Sequence, residues 1–141
     1  MTDDRALLYW DASAILSLLF NDVHATLAKR QFRRTGKHLL SSLARAECAS
    51  VIARAVRSGE MAVALGERAI ESIARTPWLA LADGPAPATL RVLARRYPLR
   101  GADLWHLALA LDLGESLPGV RLLTFDSVLG VAARAEGLAA E

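Results

Sequence analysis

The stretch Leu7-Leu8-Tyr9-Trp10-Asp11-Ala12-Ser13-Ala14-Ile15 changes period half-way. Its first four residues are an unbroken apolar, partly aromatic run, too short for a helix and composed like a strand buried on both faces. After Asp11, the residues Ala14, Ile15, Leu18 and Leu19 recur at spacings of three and four, which is helical, with Ser13 available as a cap. A buried strand that runs straight into a helix is the opening of an α/β fold, and the rest of the chain repeats the alternation. A basic helix is expected over 23–34, ended by Gly36, and a strand over 38–41. Ser42 begins a helix with an apolar side of Leu43, Ala46, Val51, Ile52, Ala55 and Val56. Further helices are predicted over 60–75, over 85–96 behind prolines suited to a first turn, and over 102–113 closed by Gly114. Strands are predicted over 78–81 and 120–124, and a closing helix over 127–135. Strands alternating with helices predict an α/β sandwich around a central, mostly parallel sheet.

Length and composition bound the same reading. The chain has 141 residues, 53% of them hydrophobic, and a net charge of +2, so it fits one domain over 1–141 and excludes intrinsic disorder. The longest apolar stretches, such as 107–111, fall far short of the roughly 18 residues of a membrane span. The opening Met1-Thr2-Asp3-Asp4-Arg5 is acidic where a secretory leader is basic, which predicts a cytoplasmic protein. Cys48 is alone, so one chain has no disulfide framework or thiolate metal site.

The charges are unevenly placed. Residues 24–46 hold no acid but carry Lys29, Arg30, Arg33, Arg34, Lys37 and Arg45, and the acid-free stretch 84–102 holds Arg91, Arg95, Arg96 and Arg100. Arginine binds phosphate bidentately, so these stretches are candidate nucleic-acid contacts: Arg30, Arg33, Arg34 and Lys37 first, Arg95, Arg96 and Arg100 second. Ordinary solvated helix faces would read the same way.

Four acids resist assignment to a solvated face. Asp11 and Asp126 follow the first and last predicted strands, and in an open α/β sheet ligands bind outside the carboxyl ends of the strands. Glu47 and Asp103 lie near the starts of apolar helices, on the same expected edge. Taken singly, Asp11 and Asp126 also suit helix caps, and Asp103 suits a first turn. Together they repel, by roughly 4 kcal/mol for a pair 4 Å apart at an effective dielectric of 20, unless protons or a cation intervene. All-oxygen ligands favour Mg²⁺ or Mn²⁺ over zinc, and such a site suits phosphodiester hydrolysis by a metal-activated water.

At these residues the chain resembles a known family. Leu-Tyr-Trp-Asp11-Ala-Ser13-Ala, Ser-Ser-Leu-Ala-Arg-Ala-Glu47, Arg-Gly-Ala-Asp103-Leu-Trp-His106-Leu-Ala and Leu-Leu-Thr124-Phe-Asp126 occur in the order of a PIN domain, most like the VapC-type toxin ribonucleases of toxin–antitoxin pairs. The resemblance implies a PIN-like α/β/α sandwich with four to five strands. It implies that Asp11, Glu47, Asp103 and Asp126 coordinate one or two Mg²⁺ or Mn²⁺ ions, with Ser13 and Thr124 in support. It further implies an RNA substrate, a homodimer and a cognate antitoxin. His106, three residues past Asp103, reads as structural or as support for the ligands. Trp10 and Trp105 are bulkier than the family's usual residues, and relatives often add an apolar strand where this chain has Gly137-Leu138-Ala139-Ala140-Glu141.

Other α/β readings lack their residues. A haloacid dehalogenase needs a second Asp at position 13, a receiver domain needs a late lysine, and dinucleotide binding needs a glycine-rich first turn. The alternative from another class is a non-catalytic PIN-like module that binds RNA or protein.

Overall fold

A computed structural model describes residues 5–140. The chain runs β1 (Ala6–Trp10), α1 (Ala12–Leu19), α2 (Ala25–Phe32), β2 (Gly36–Ser41), α3 (Ser42–Arg57), α4 (Val63–Arg75), β3 (Leu79–Leu81), α5 (Pro87–Arg96), α6 (Gly101–Ser116), β4 (Arg121–Leu123) and α7 (Ser127–Ala135). The strands are all parallel in the order β3-β2-β1-β4. A single parallel bridge from Leu122 to Ala139 extends the sheet beyond β4. There the Leu122 N–H donates to the Leu138 carbonyl at 2.7 Å and the Ala140 N–H to the Leu122 carbonyl at 3.1 Å. The α/β sandwich is therefore as expected, with the sheet wholly parallel. The acidic opening, residues 1–4, lies outside the described residues, as does Glu141. Among the described residues no helix is long and apolar enough to cross a membrane.

Strand alternation splits the core in two. Leu8 and Trp10 of β1, Leu40 of β2 and Leu123 of β4 face α1, α2, α3 and α4, while Tyr9, Leu39 and Leu122 face α5, α6 and α7. Trp10 finds room for its bulk on the first side, edge-on to Phe32 and Trp78, with its indole N–H donating to His38 Nδ1 at 3.0 Å. Trp105 rests half-buried against Gly84, 3.3 Å from where a Cβ would stand.

Several local expectations are corrected. The cap of α1 is Asp11, not Ser13: the Asp11 side chain accepts the Ala14 N–H, and the Ser13 hydroxyl turns back onto Asp11. On α3 the buried ridge is Ala44, Cys48 and Ile52, four apart, and Ala46 and Val51 are exposed. Gly114 does not end α6, which continues to Ser116 before a left-handed turn at Gly119. Gly36 opens β2 rather than closing a helix; its φ is 145° and a Cβ there would lie 2.0 Å from the Ala6 carbonyl oxygen. Only glycine fits this close approach, where Gly36 of β2 pairs with Ala6 of β1.

After β1 the chain builds outward through β2 and β3, then crosses back to place β4 on the other side of β1. The crevice of such a sheet opens where the order reverses, at the carboxyl ends of β1 and β4. Asp11 and Asp126 stand at those two ends.

Candidate active site

Asp11 and the turn after β4 are tied into one unit. The Asp11 N–H donates to the Leu123 carbonyl at 3.1 Å. Asp11 is 4% exposed; its Oδ1 accepts from the Ser13 hydroxyl at 2.7 Å and the Ala14 N–H at 2.9 Å, and its Oδ2 from the Thr124 hydroxyl at 2.5 Å. Ser13 Oγ in turn accepts the Phe125 N–H at 2.9 Å, and Thr124 Oγ1 accepts the Asp126 N–H at 3.1 Å. Ser13 and Thr124, expected in support, thus brace both aspartates. Asp126 caps α7, its Oδ1 accepting the Leu129 N–H at 2.8 Å, which leaves its other oxygen outside the cap bond. The cap readings of Asp11 and Asp126 and the site reading are compatible, because a carboxylate has lone pairs for both.

Glu47 lies one turn inside α3 and is held from the far side of the sheet. Its Oε1 is 2.5 Å from His106 Nε2 on α6, while His106 Nδ1 meets the Tyr9 hydroxyl, which donates to Ser41 Oγ at 3.1 Å. Tyr9 and His106 are 0% and 1% exposed. The imidazole therefore sits between a phenol and a carboxylate and fixes which Glu47 oxygen faces outward. Burial, with the Asp11 and Glu47 charges, pushes the Tyr9 hydroxyl upward, so it keeps its proton and remains a donor. Cys48, beside Glu47, is buried and its thiol is pushed up to about 12, mainly by burial, which leaves it an inert core residue.

Asp103, in the first turn of α6, reports the convergence. Burial raises its carboxyl above the ordinary value, and so do the charges of Asp126, Asp11 and Glu47, with His106 opposing. Burial also raises Asp11, against the Thr124, Ser13 and Ala14 hydrogen bonds. The other three acids expected from the sequence, Asp126, Asp11 and Glu47, thus all bear on Asp103. The N-termini of α1, α3, α6 and α7 open there too, and their partial positive ends favour anions.

Among the described residues, no three Asp, Glu, His or Cys side chains are drawn tightly enough to chelate an ion outright. An all-oxygen set with uncompensated charge fits a hard, hydrated ion that keeps waters between itself and some carboxylates, as Mg²⁺ does.

The basic candidates divide. Arg34 and Lys37 line cavities at the opposite edge, among Thr35, Gly36, Arg121 and Arg134, and α2 carries Arg30 toward that edge, with Arg33 just past its end. Arg96 pairs with Glu136 at 2.7 Å, and Arg95 shares the last turn of α5. Arg100 is the N-cap of α6, at the acidic edge. Arg45, in the first turn of α3, stands at that edge as well.

A model of the PIN domain matches residues 8–135. The chain belongs to the PIN domain family. Ribonuclease VapC49 and ribonuclease VapC46 of Mycobacterium tuberculosis are 34% and 33% identical to it over 138 residues. Those alignments cover 93% and 95% of this chain, and 92% and 95% of the relatives. The crystal structure of PAE2754 from Pyrobaculum aerophilum superposes with a TM-score of 0.64 at 22% identity, covering 93% of this chain and 83% of that one, and shares the fold.

Proposed function

We propose that this PIN domain is a metal-dependent endoribonuclease, the toxin of a toxin–antitoxin pair, that hydrolyses RNA phosphodiester bonds. The observation that supports the reading is the bracket at the carboxyl ends of β1 and β4, where Ser13 and Thr124 tie Asp11 to the turn that carries Asp126, with Asp103 and Glu47 close enough to bear on the same site. Ribonuclease relatives of matching length support the choice of reaction. Asp103, with the outward oxygens of Glu47 and Asp126 and with Asp11 behind them, would hold one or two Mg²⁺ or Mn²⁺ ions. When bound, such an ion lowers the pKa of a water and stabilises charge on the attacked phosphate. The chain's own residues orient and neutralise. Ser13 and Thr124 hold Asp11, His106 holds Glu47, and the four helix N-termini receive the phosphate.

The test is calorimetry with Mg²⁺ and Mn²⁺ together with RNA cleavage, for the parent and for Asp11→Asn and Asp103→Asn. Both variants are expected to lose metal binding and cleavage while staying folded. RNA binding by the parent without metal-dependent cleavage selects the non-catalytic module instead.

Two exposed apolar faces support two protein partners, a cognate antitoxin and a second copy of this chain. Val63 and Ile70 border a groove of about 210 Å³ between α3 and α4. Val128 and Val131, with Tyr97 and Leu99, border one of about 330 Å³ beside α7. The mass of the purified chain in solution, alone and with the product of an adjacent gene, checks both.

A further inference from the structure

The turn that carries Asp126 also carries an aromatic ring that the acidic site does not use. Phe125 lies between Thr124, which donates to Asp11, and Asp126 itself, and its backbone N–H donates to Ser13 Oγ. The ring is partly buried against the α1 side of the core. On it lies His24, with ring centroids 4.6 Å apart and planes inclined by only 2°. His24 is exposed and N-caps α2, yet its side chain makes no cap hydrogen bond.

Its position is nevertheless fixed by the chain around it. The His24 N–H donates to Asp22 Oδ1 at 2.9 Å, Asp22 Oδ2 accepts from Ser17 of α1 at 2.7 Å, and the Ala25 N–H donates to the Asp22 carbonyl at 3.2 Å. The stack is therefore an ordered, flat, solvent-facing aromatic step, covalently one residue from an acid of the site.

Single-stranded RNA is held in many proteins by bases stacked on aromatic side chains, a contact open to any base because every base has a π-face. We propose that the His24–Phe125 stack is a nucleobase subsite, in which a base next to the scissile phosphate continues the stack on the open face of His24. This rests on the RNA-cleaving reading and adds to it a preference for unpaired RNA, with purines, the larger rings, held more tightly than pyrimidines. Ser13 links step and acid: its hydroxyl binds the Phe125 backbone and Asp11 together, so base and phosphate are placed by one rigid unit.

The experiment uses the full chain carrying Asp11→Asn, so that RNA survives, and measures binding of fluorescein-labelled 12-nucleotide oligo-A and oligo-U by anisotropy across a salt series. His24→Ala is expected to weaken oligo-A binding by about tenfold, to narrow the oligo-A over oligo-U preference, and to leave the salt slope unchanged, since no phosphate contact is lost. His24→Phe, which keeps a flat ring and discards the imidazole nitrogens, is expected to restore the parent's affinity. Parent-like binding and preference in His24→Ala overturns the proposal. So does a His24→Phe variant as weak as His24→Ala, which would assign the effect to an imidazole hydrogen bond or charge. A parent that binds neither oligonucleotide overturns the RNA reading along with the subsite, whereas binding by the parent with an indifferent His24 removes the subsite alone.

Discussion

The two edges of the sheet carry opposite chemistry. At the carboxyl ends of the strands stand Asp11, Glu47, Asp103 and Asp126; at the amino ends Arg5, Arg34, Lys37, Arg121 and Arg134 line the cavities. The five residues of β1 separate the edges by about 13 Å at roughly 3.3 Å per residue, which exceeds the Debye length of about 8 Å at physiological salt. The near-neutral net charge of +2 therefore hides two fields that do not cancel through solvent. Arg45 and Arg100 stand at the acidic edge and the cavity-lining cations at the other, so four carboxylates there still leave charge for protons or a bound cation to neutralise.

The largest expected effect comes from removing charge at the acidic edge. Asp11→Asn and Asp11→Ala are both expected to lower RNA cleavage by more than about a hundredfold. Their melting curves are expected to separate. Asn still caps α1 and accepts from Ser13 through its one oxygen, while its amide nitrogen donates to the Thr124 hydroxyl where Asp11 accepted from it, so its stability stays near the parent's. Ala loses the cap and leaves hydroxyls without an acceptor, at a cost of about 1–3 kcal/mol. Equal destabilisation by both would mean that the charge, not the hydrogen-bond bracket, holds the two turns together.

Next comes the support behind Glu47. His106→Asn is expected to reduce cleavage by about 10- to 100-fold through a loosened Glu47, the usual range for residues that orient metal ligands. Tyr9→Phe keeps the ring in the core and removes the hydroxyl between His106 and Ser41, with a smaller loss of activity and about 1–3 kcal/mol of stability. Activity at saturating metal distinguishes a positioning role from a purely structural one: it recovers in Tyr9→Phe if the network only sets the geometry of Glu47.

These two cases mark how far the sequence could be read. The period change at Asp11 showed the β1–α1 join, and the four acids could be placed at one edge because each follows a strand or opens a helix. What the sequence did not reveal were the partnerships between distant residues. Tyr9 meets His106 across 97 residues of chain, and His24 meets Phe125 across the layer, neither with a local spacing to betray it. The helical spacing of Arg30, Arg33, Arg34 and Lys37 reports a face but not the end of the sheet toward which the helix runs, so the structure alone places them toward the amino ends of the strands. Gly114 misled because a glycine away from a positive φ does not stop a helix.

The protons at the acidic edge give a smaller, graded effect. Asp11 and Asp103 hold protons more tightly folded than unfolded, where the ordinary value is 3.8. The folded state then binds more protons, and stability falls with pH. The contribution is complete below the unfolded value and is lost as pH rises through the raised folded values. For metal-free protein, the melting-temperature gap between parent and Asp103→Asn is expected to grow in favour of the variant from about pH 4 toward neutrality. Mg²⁺ or Mn²⁺ added at pH 7 is expected to close that gap by stabilising the parent alone. A gap constant with pH would show that Asp103 carries no excess proton affinity.

The smallest effect expected is on salt dependence, and it asks which edge holds RNA. Each lost phosphate contact shallows the slope of log affinity against log salt by roughly one unit. Arg45 and Arg100 open α3 and α6 beside the acids, whereas Arg30, Arg33 and Arg34 lie toward or at the other edge. In an Asp11→Asn background, an Arg45→Ala and Arg100→Ala double variant is expected to shallow the slope by about two units, while an Arg30, Arg33 and Arg34 triple alanine variant leaves it unchanged. The reverse result would carry RNA from the acids to the amino ends of the strands, about 13 Å or some two nucleotides of extended backbone, and would make the basic edge a second half of one binding track. The segregation of charge across the sheet would then serve to orient the strand, with its phosphates drawn to one edge and the reacting phosphate delivered to the other.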